Sequence, residues 1–328
     1  MVPPTVTQIA SNRTKEGMFA MKKLFTAVAA ILIFAKCGFA QLEGPTNTQI
    51  LVQVDSKAEQ IPALADITMK VNGKEEPLTG WSQVPPNGVQ IAVLIDDGLR
   101  ESVGRELSSL KSFTNGLPPG TQIYIGYMRD GTVSTEQPFT TNHAAAAERF
   151  RLPIGTPGVS ASPYFCLSEF VKHWPADPSR PAARFVMMIT NGVDPYNGST
   201  SIMNQNSPYV EAAITDAQRA GVSVSSIYYA DSGFRGGRGS FSGQSYLTQT
   251  GDETGGRSYY QGQGNPVSMA PLLAQFQHAI SETFVASFSA KASGNKLVDV
   301  KVDSKMHGVK LHSAKMVRPG NAEIPVAQ

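Results

Sequence analysis

The chain has 328 residues, of which 41% are hydrophobic and 16% charged, with a net charge of +2 and two cysteines. A chain so poor in cysteine holds no disulfide scaffold, so its stability must come from a hydrophobic core. The charge is too close to neutral for the basic surface of a nucleic-acid binder, and no nucleic-acid partner is expected.

The first forty residues read as a targeting segment. "MKKLFTAVAAILIFAKCGFA" (21–40) has two lysines, an apolar run over 24–35 and small residues at Gly38 and Ala40. This is the pattern of a secretory signal peptide cleaved near Ala40, with translation starting at Met21 or Met18. The apolar run is about half of what spans a bilayer, so no stable membrane insertion is expected after cleavage and the protein is expected in the periplasm or outside the cell, with an uncleaved anchor as the weaker alternative. Lys36 before Cys37 spoils the context for a lipidated cysteine. Cleavage removes Arg13, Lys15, Lys22, Lys23, Lys36 and Glu16, taking the net charge from +2 to −2 and leaving Cys166 as the one cysteine.

Residues 50–82 alternate apolar and polar around "NG" (72–73), a hairpin signal. "QIAVLI" (90–95) is a near-continuous apolar run, as in a strand buried on both faces. It ends in Asp96 and Asp97, and 101–117 follows as an amphipathic helix with Val103, Leu107, Leu110 and Phe113 on one face. A strand over 121–128, an edge hairpin strand over 131–140 and a short helix over 142–150 capped by Asn142 come next. Beyond a Gly/Pro-rich loop lie a helix over 162–174, a strand over 183–190 and a helix over 207–221 opened by proline and closed by glycine. A strand over 222–230 leads into a polar loop from Asp231 to about Ser245, a short helix, a last strand over 255–261 and a helix over 268–284. Residues 284–318 return to strand patterning.

This alternation predicts an α/β fold: a doubly wound, mostly parallel sheet with helices on both faces, plus a small β appendage from the flanking segments. The divisions are a targeting extension (1–40), a β-rich flank (41–88), the α/β domain (89–286) and a C-terminal β segment and tail (287–328). Ligands of such sheets sit at the carboxyl ends of the strands, where "DDG" (96–98) and "TNG" (190–192) fall.

The order of these pieces resembles the von Willebrand factor A domain, and more narrowly the secreted bacterial VWFA-related proteins. The resemblance rests on the strand ending in Asp96, the later "ITNG" (189–192), "TGGRSYY" (254–260), the preamble "ITMKVNGKEEPLTGW" (67–81) and the tail "LVDVKVDSKMHGVKLHSAKMV" (297–317). It implies a metal-ion-dependent adhesion site with a first loop Asp-x-Ser-x-Ser, a Thr from a second loop and an Asp from a third, which together hold a hard divalent ion through oxygen ligands. Asp96 matches the first Asp. Gly98 and Arg100 stand where the two serines would be, Ser160 or Ser162 at the second-loop position, and Asn191 at the third-loop Asp. Asp97 and Asp194 are extra carboxylates outside the motif.

A guanidinium in this loop would repel the ion. Two unit charges about 4 Å apart interact by about 4 kcal/mol at an effective dielectric near 20, and a divalent ion doubles that. The site therefore reads as degenerate, with Arg100 standing in for the cation and no metal cofactor, and with Asp96, Arg100, Asn191 and Asp194 as the binding residues. If Arg100 instead faces solvent on the first helical turn, the lost hydroxyls alone weaken the site. The competing reading keeps Mg, Mn or Ca through Asp96, Asp97 and Asp194.

An enzyme is not expected. Adjacent strand residues point to opposite faces, so Asp96 and Asp97 do not converge as acid and base. Cys166 and His173 are two helical turns apart, and "GVSAS" (158–162) is no nucleophile elbow. His143, His278, His307 and His312 lack ligand spacing, with His307 and His312 expected on surface strands. "GFRGGRGSFSG" (233–243) reads as a surface loop. Tyr196, Tyr209, Tyr228 and Tyr229 are either contact residues or core edges. The expectation is an exported, non-enzymatic protein that binds a protein partner, or a structural part of a cell-envelope assembly.

Overall fold

The computed structural model describes residues 44–56, 60–155, 162–177, 180–195, 206–230, 237–321 and 324–325, excluding the side chains of 237–241. Residues 44–328 form one compact unit.

The first strand of the α/β core is β5 (Val89–Asp96), whose eight residues are all buried, as its apolar run demands. It is preceded by four strands of the flank: β1 (Gly44–Ser56), β2 (Ile67–Val71), β3 (Lys74–Glu75) and β4 (Leu78–Gln83). After β5 come a 3-10 turn (Glu101–Glu106), α1 (Leu107–Asn115), β6 (Gln122–Arg129), β7 (Thr132–Thr140) and α2 (His143–Ala147). The series continues with α3 (Pro163–Lys172), β8 (Ala183–Thr190), α4 (Pro208–Ala220), β9 (Val222–Tyr228), α5 (Gly237–Thr254), β10 (Ser258–Tyr259) and α6 (Ala270–Ser281). Four strands close the chain: β11 (Thr283–Ala292), β12 (Val298–Ser304), β13 (Val309–Ser313) and β14 (Met316–Val317).

The central sheet runs β10-β9-β8-β5-β6-β7. Its pairs are parallel except β6 with β7, the expected antiparallel hairpin. From β5 the chain winds outward to β7, then returns to β8 on the other side and winds outward again. The order therefore reverses between β5 and β8, the switch point at whose carboxyl ends such sheets hold their ligands. Alternate residues of β5 feed two cores. Ile91, Val93 and Ile95 pack with Leu110 and Phe113 of α1 and Leu272 and Phe276 of α6. Ala92 and Leu94 pack with Leu167 and Phe170 of α3, Val210 and Ile214 of α4, and Tyr246 and Leu247 of α5.

The helix ends follow their sequence signals. Asn142 accepts from Ala145 N at the start of α2, Ser207 accepts from Tyr209 N and Val210 N at the start of α4, and Gly221 ends α4 at φ 64°. Two expectations need correction. The segment 101–117 begins as a 3-10 turn, and only 107–115 is α-helical. The polar stretch read as a loop to Ser245 is helical from Gly237. Glycine and serine are weak helix formers, but here Tyr246 and Leu247 are buried and anchor the helix. A Cβ on Gly243 would lie 2.1 Å from Asn191 O, so glycine lets α5 lie against the strand-end loop.

The flanks make two four-stranded sheets, β13-β1-β11-β4 and β14-β12-β2-β3. The "NG" hairpin joins β2 to β3, with Asn72 and Gly73 at φ 49° and 77°. One cluster joins the two sheets: Ile50, Val52, Ala286 and Phe288 from the first meet Met69, Val300, Val302 and Val317 from the second. Leu51 and Val285 face the other way, into the α/β core.

Candidate functional site at the strand ends

At the switch point the ends of β5 and β8 are tied together by side chains. Ile95 pairs with Ile189, so the next residues, Asp96 and Thr190, lie side by side. The Thr190 hydroxyl donates to Asp96 Oδ2 at 2.8 Å, and Gly98 N donates to Asp96 Oδ1 at 2.9 Å. The second contact is an Asx turn, which folds the chain back directly after the strand. Thr190 Oγ1 also accepts from Gly192 N at 3.2 Å, so one hydroxyl holds both loops. Asp96 is 5% exposed and Thr190 fully buried.

Asp97 points elsewhere. Its Oδ1 accepts from Arg151 Nη1 at 2.9 Å and from Ile154 N at 3.0 Å. The two carboxylates thus have separate partners, as strand geometry requires. Arg151 also donates from Nε to Glu136 Oε1 at 2.8 Å and lies over the Tyr127 ring at 3.7 Å. Burial works against the Arg151 charge, and the bonds to Asp97 and Glu136 outweigh it, so its pKa is raised. Burial pushes the Tyr127 phenol up to about 12, so it stays neutral while it donates to Arg151 O and accepts from Arg151 N.

The remaining expected residues are accounted for as follows. Asn191 Oδ1 accepts from Val193 N at 3.0 Å, a turn within its own loop. Asp194 accepts from Ser207 Oγ, which links that loop to the cap of α4. Ser162 caps α3, accepting from Tyr164 N, and is fully buried. Tyr164, also fully buried, donates to Gly192 O at 3.0 Å. Its phenol is held well above the ordinary value by burial and by Asp194 and Tyr246. Arg100 is exposed and stands at the N-cap of the 3-10 turn. Ser160 and Tyr196 lie outside the described residues. Tyr228 and Tyr229 are 1% exposed and belong to the core, whereas Tyr209, at 36%, reaches solvent against Phe165.

Sequence reasoning missed Thr190 and Arg151. Thr190 was legible, since it precedes Asn191 on the strand that a doubly wound order places beside β5. Nothing in local spacing marks Arg151, which reaches Asp97 from a loop 54 residues along the chain.

A hard divalent ion asks for about six oxygens in near-octahedral geometry. Here the first-loop hydroxyl positions are glycine and arginine, Asp97 is bonded to a guanidinium, and Asn191 and Asp194 are turned onto their own loop and helix cap. Among the described residues, no three His, Cys, Asp or Glu side chains gather into a metal-holding group. This donor set does not fit such an ion.

Cys166, the nominal nucleophile, is fully buried. Burial pushes the Cys166 thiol up to about 12, with Asp96 adding to it. His173 is exposed and pairs with Glu169 at 3.0 Å. His307 lies in the turn between β12 and β13 and not on a strand, whereas His312, on β13, is partly buried beside Asp55 at 3.8 Å.

The strand order and switch point are those of a doubly wound α/β sheet, the fold class that the resemblance to the von Willebrand factor A domain implies. Solved structures similar to this chain include BatB from Bacteroides thetaiotaomicron, at 15% identity and TM-score 0.42, covering 60% of this chain and 98% of that one. A von Willebrand factor type A protein from Catenulispora acidiphila matches at 12% identity and TM-score 0.41, covering 86% and 68%. The ArnB paralog VWA2 from Sulfolobus acidocaldarius matches at 10% and 0.39, covering 83% and 76%. At these scores the likenesses add no weight to the strand order itself. No protein-family model matches the sequence, and no curated protein matches it.

Proposed function

We propose that the chain is an exported, non-enzymatic von Willebrand factor A-like protein that binds a protein partner through the strand ends of its central sheet, at a metal-ion-dependent adhesion site that no longer uses a metal. The observation that carries this reading is the bond from Thr190 to Asp96 across the switch point, with glycine and arginine at the two hydroxyl positions. The carboxylate that would lead a metal site is engaged in joining two loops, so the edge is organised by the chain's own groups. The buried Cys166 thiol and the separate partners of Asp96 and Asp97 support a binding role over catalysis. The pattern of residues 21–40 supports export, and among the described residues no helix is long and apolar enough to cross a membrane.

A second reading, a structural part of a cell-envelope assembly, draws on the size of the appendage: two full sheets offer a working surface of their own. Photo-crosslinking residues placed at Asn191 and at Lys301, on the outer face of β12, separate the two in cells. A covalent adduct from position 191 and none from 301 is the expected outcome; the reverse assigns the partner to the appendage. Calorimetric titration of the purified protein with magnesium, manganese and calcium addresses the metal-dependent alternative. No heat and no thermal stabilisation is expected, and micromolar binding would overturn the metal-free reading.

A further inference from the structure

We propose that Arg151 is the built-in cation of this edge: it neutralises Asp97, the carboxylate just past the end of β5, and straps residues 151–155 across it, so that the order of this loop depends on a guanidinium and not on a soluble divalent ion. The inference rests on the binding reading above and specifies how the same site is held.

Three independent contacts converge on Arg151. Its Nη1 bonds Asp97 Oδ1 at 2.9 Å and Leu152 O at 2.9 Å, and its Nε bonds Glu136 Oε1 at 2.8 Å. Its plane covers Tyr127, whose hydroxyl grips the Arg151 backbone on both sides. Asp97 is 1% exposed and would be a buried, uncompensated charge without this partner. Guanidinium suits the task because its fixed fork reaches two carboxylates at once and stacks on an aromatic face, which an ammonium does not do.

The loop beyond Arg151 is built to lie on the carboxylate that it neutralises. Ile154 N donates to Asp97 Oδ1 and Gly155 N to Asp97 O, both at 3.0 Å. A Cβ on Gly155 would sit 2.5 Å from Asp97 O, so only glycine allows this approach. Along the strap Leu152 and Ile154 remain 41% and 69% exposed. A divalent ion would perform the same two duties, charge neutralisation and loop fixation, and here both are already met.

Amide hydrogen exchange on the full purified protein tests this, read at Ile154 and Gly155 with Val93 of β5 as an internal standard. In the wild-type protein the two amides are expected to exchange slowly and equally with EDTA or with millimolar magnesium or calcium. Arg151→Met is expected to speed both by about tenfold or more, leaving Val93 unchanged, and Arg151→Lys to fall between. Unchanged exchange in Arg151→Met, or wild-type exchange that rises with EDTA as far as the variant's, overturns the proposal. Should Arg151→Met also expose Val93, Asp97→Asn decides: it keeps an oxygen for Ile154 N and removes only the charge, and slow exchange there refutes the strap. Crosslinking at Asn191 does not report on this loop, so either reading can fail alone.

Discussion

The Thr190 hydroxyl is the group on which the strand-end carboxylate depends, and its removal should be felt in stability. Thr190→Val keeps the shape and takes away the donor to a buried Asp96 oxygen. A loss of about 1–3 kcal/mol is expected, read as a lower denaturant midpoint at constant slope. A second residue sets a pH dependence. Burial lowers the His312 pKa, Arg257 and Lys310 lower it further, and Asp55 and Asp252 oppose them. The unfolded chain therefore takes up this proton first as pH falls, so stability is full above about 6.5 and declines below it, until the folded-state value is reached. Thermal midpoints should show that decline, and His312→Gln should flatten it. At this scale the sequence was informative where chemistry is local. Asp96, Gly98 and Arg100 are readable from the loop itself, whereas the Asp97–Arg151 bond exists only once β5 and the 151–155 loop are brought together. The sequence pointed to Arg100 as a guanidinium beside Asp96; the guanidinium bonded to Asp97 is that of Arg151.

Among the elements, α5 shows why local propensity misled. Its early residues are poor in side chains that favour a helix, yet a glycine-bearing face is what allows it to meet the 191–192 loop at backbone distance. Ordinarily a glycine-to-alanine change inside a helix gains about 1 kcal/mol. Gly243→Ala should do the opposite, costing about 1–3 kcal/mol through overpacking against Asn191, while Gly264→Ala, with nothing near its Cβ, should leave stability unchanged. Chemical denaturation of the two variants side by side checks this. The strands were read more accurately than α5, because a run such as 183–190 is buried on both faces and leaves no choice of period. The exact extent of the last core strand was not legible, since β10 is two residues long and is defined by pairing with β9.

For the molecule as a whole, the flanking strands and the α/β core pack into one body. Leu51, Val84 and Val285, all from the flanks, sit inside the cluster that covers one face of the central sheet. Gln53 Nε2 donates to Ser223 Oγ, and Arg257 meets Asp55 at 3.1 Å across the same seam. Calorimetry of the full protein should therefore show a single transition, and a fragment limited to 89–286 should unfold at lower temperature and bind a hydrophobic dye. The strand order also has a meaning in time. β1 emerges early in synthesis, yet both its neighbours, β11 and β13, come from the other end of the chain, and Thr46 hydrogen-bonds Ala290 across 244 positions. Until the last strands arrive, β1 waits with two open edges, the kind of surface that other chains pair with. A product cut short before β11 carries the whole central sheet but cannot hide that strand, so a complete chain and a truncated one differ in stickiness long before they differ in binding.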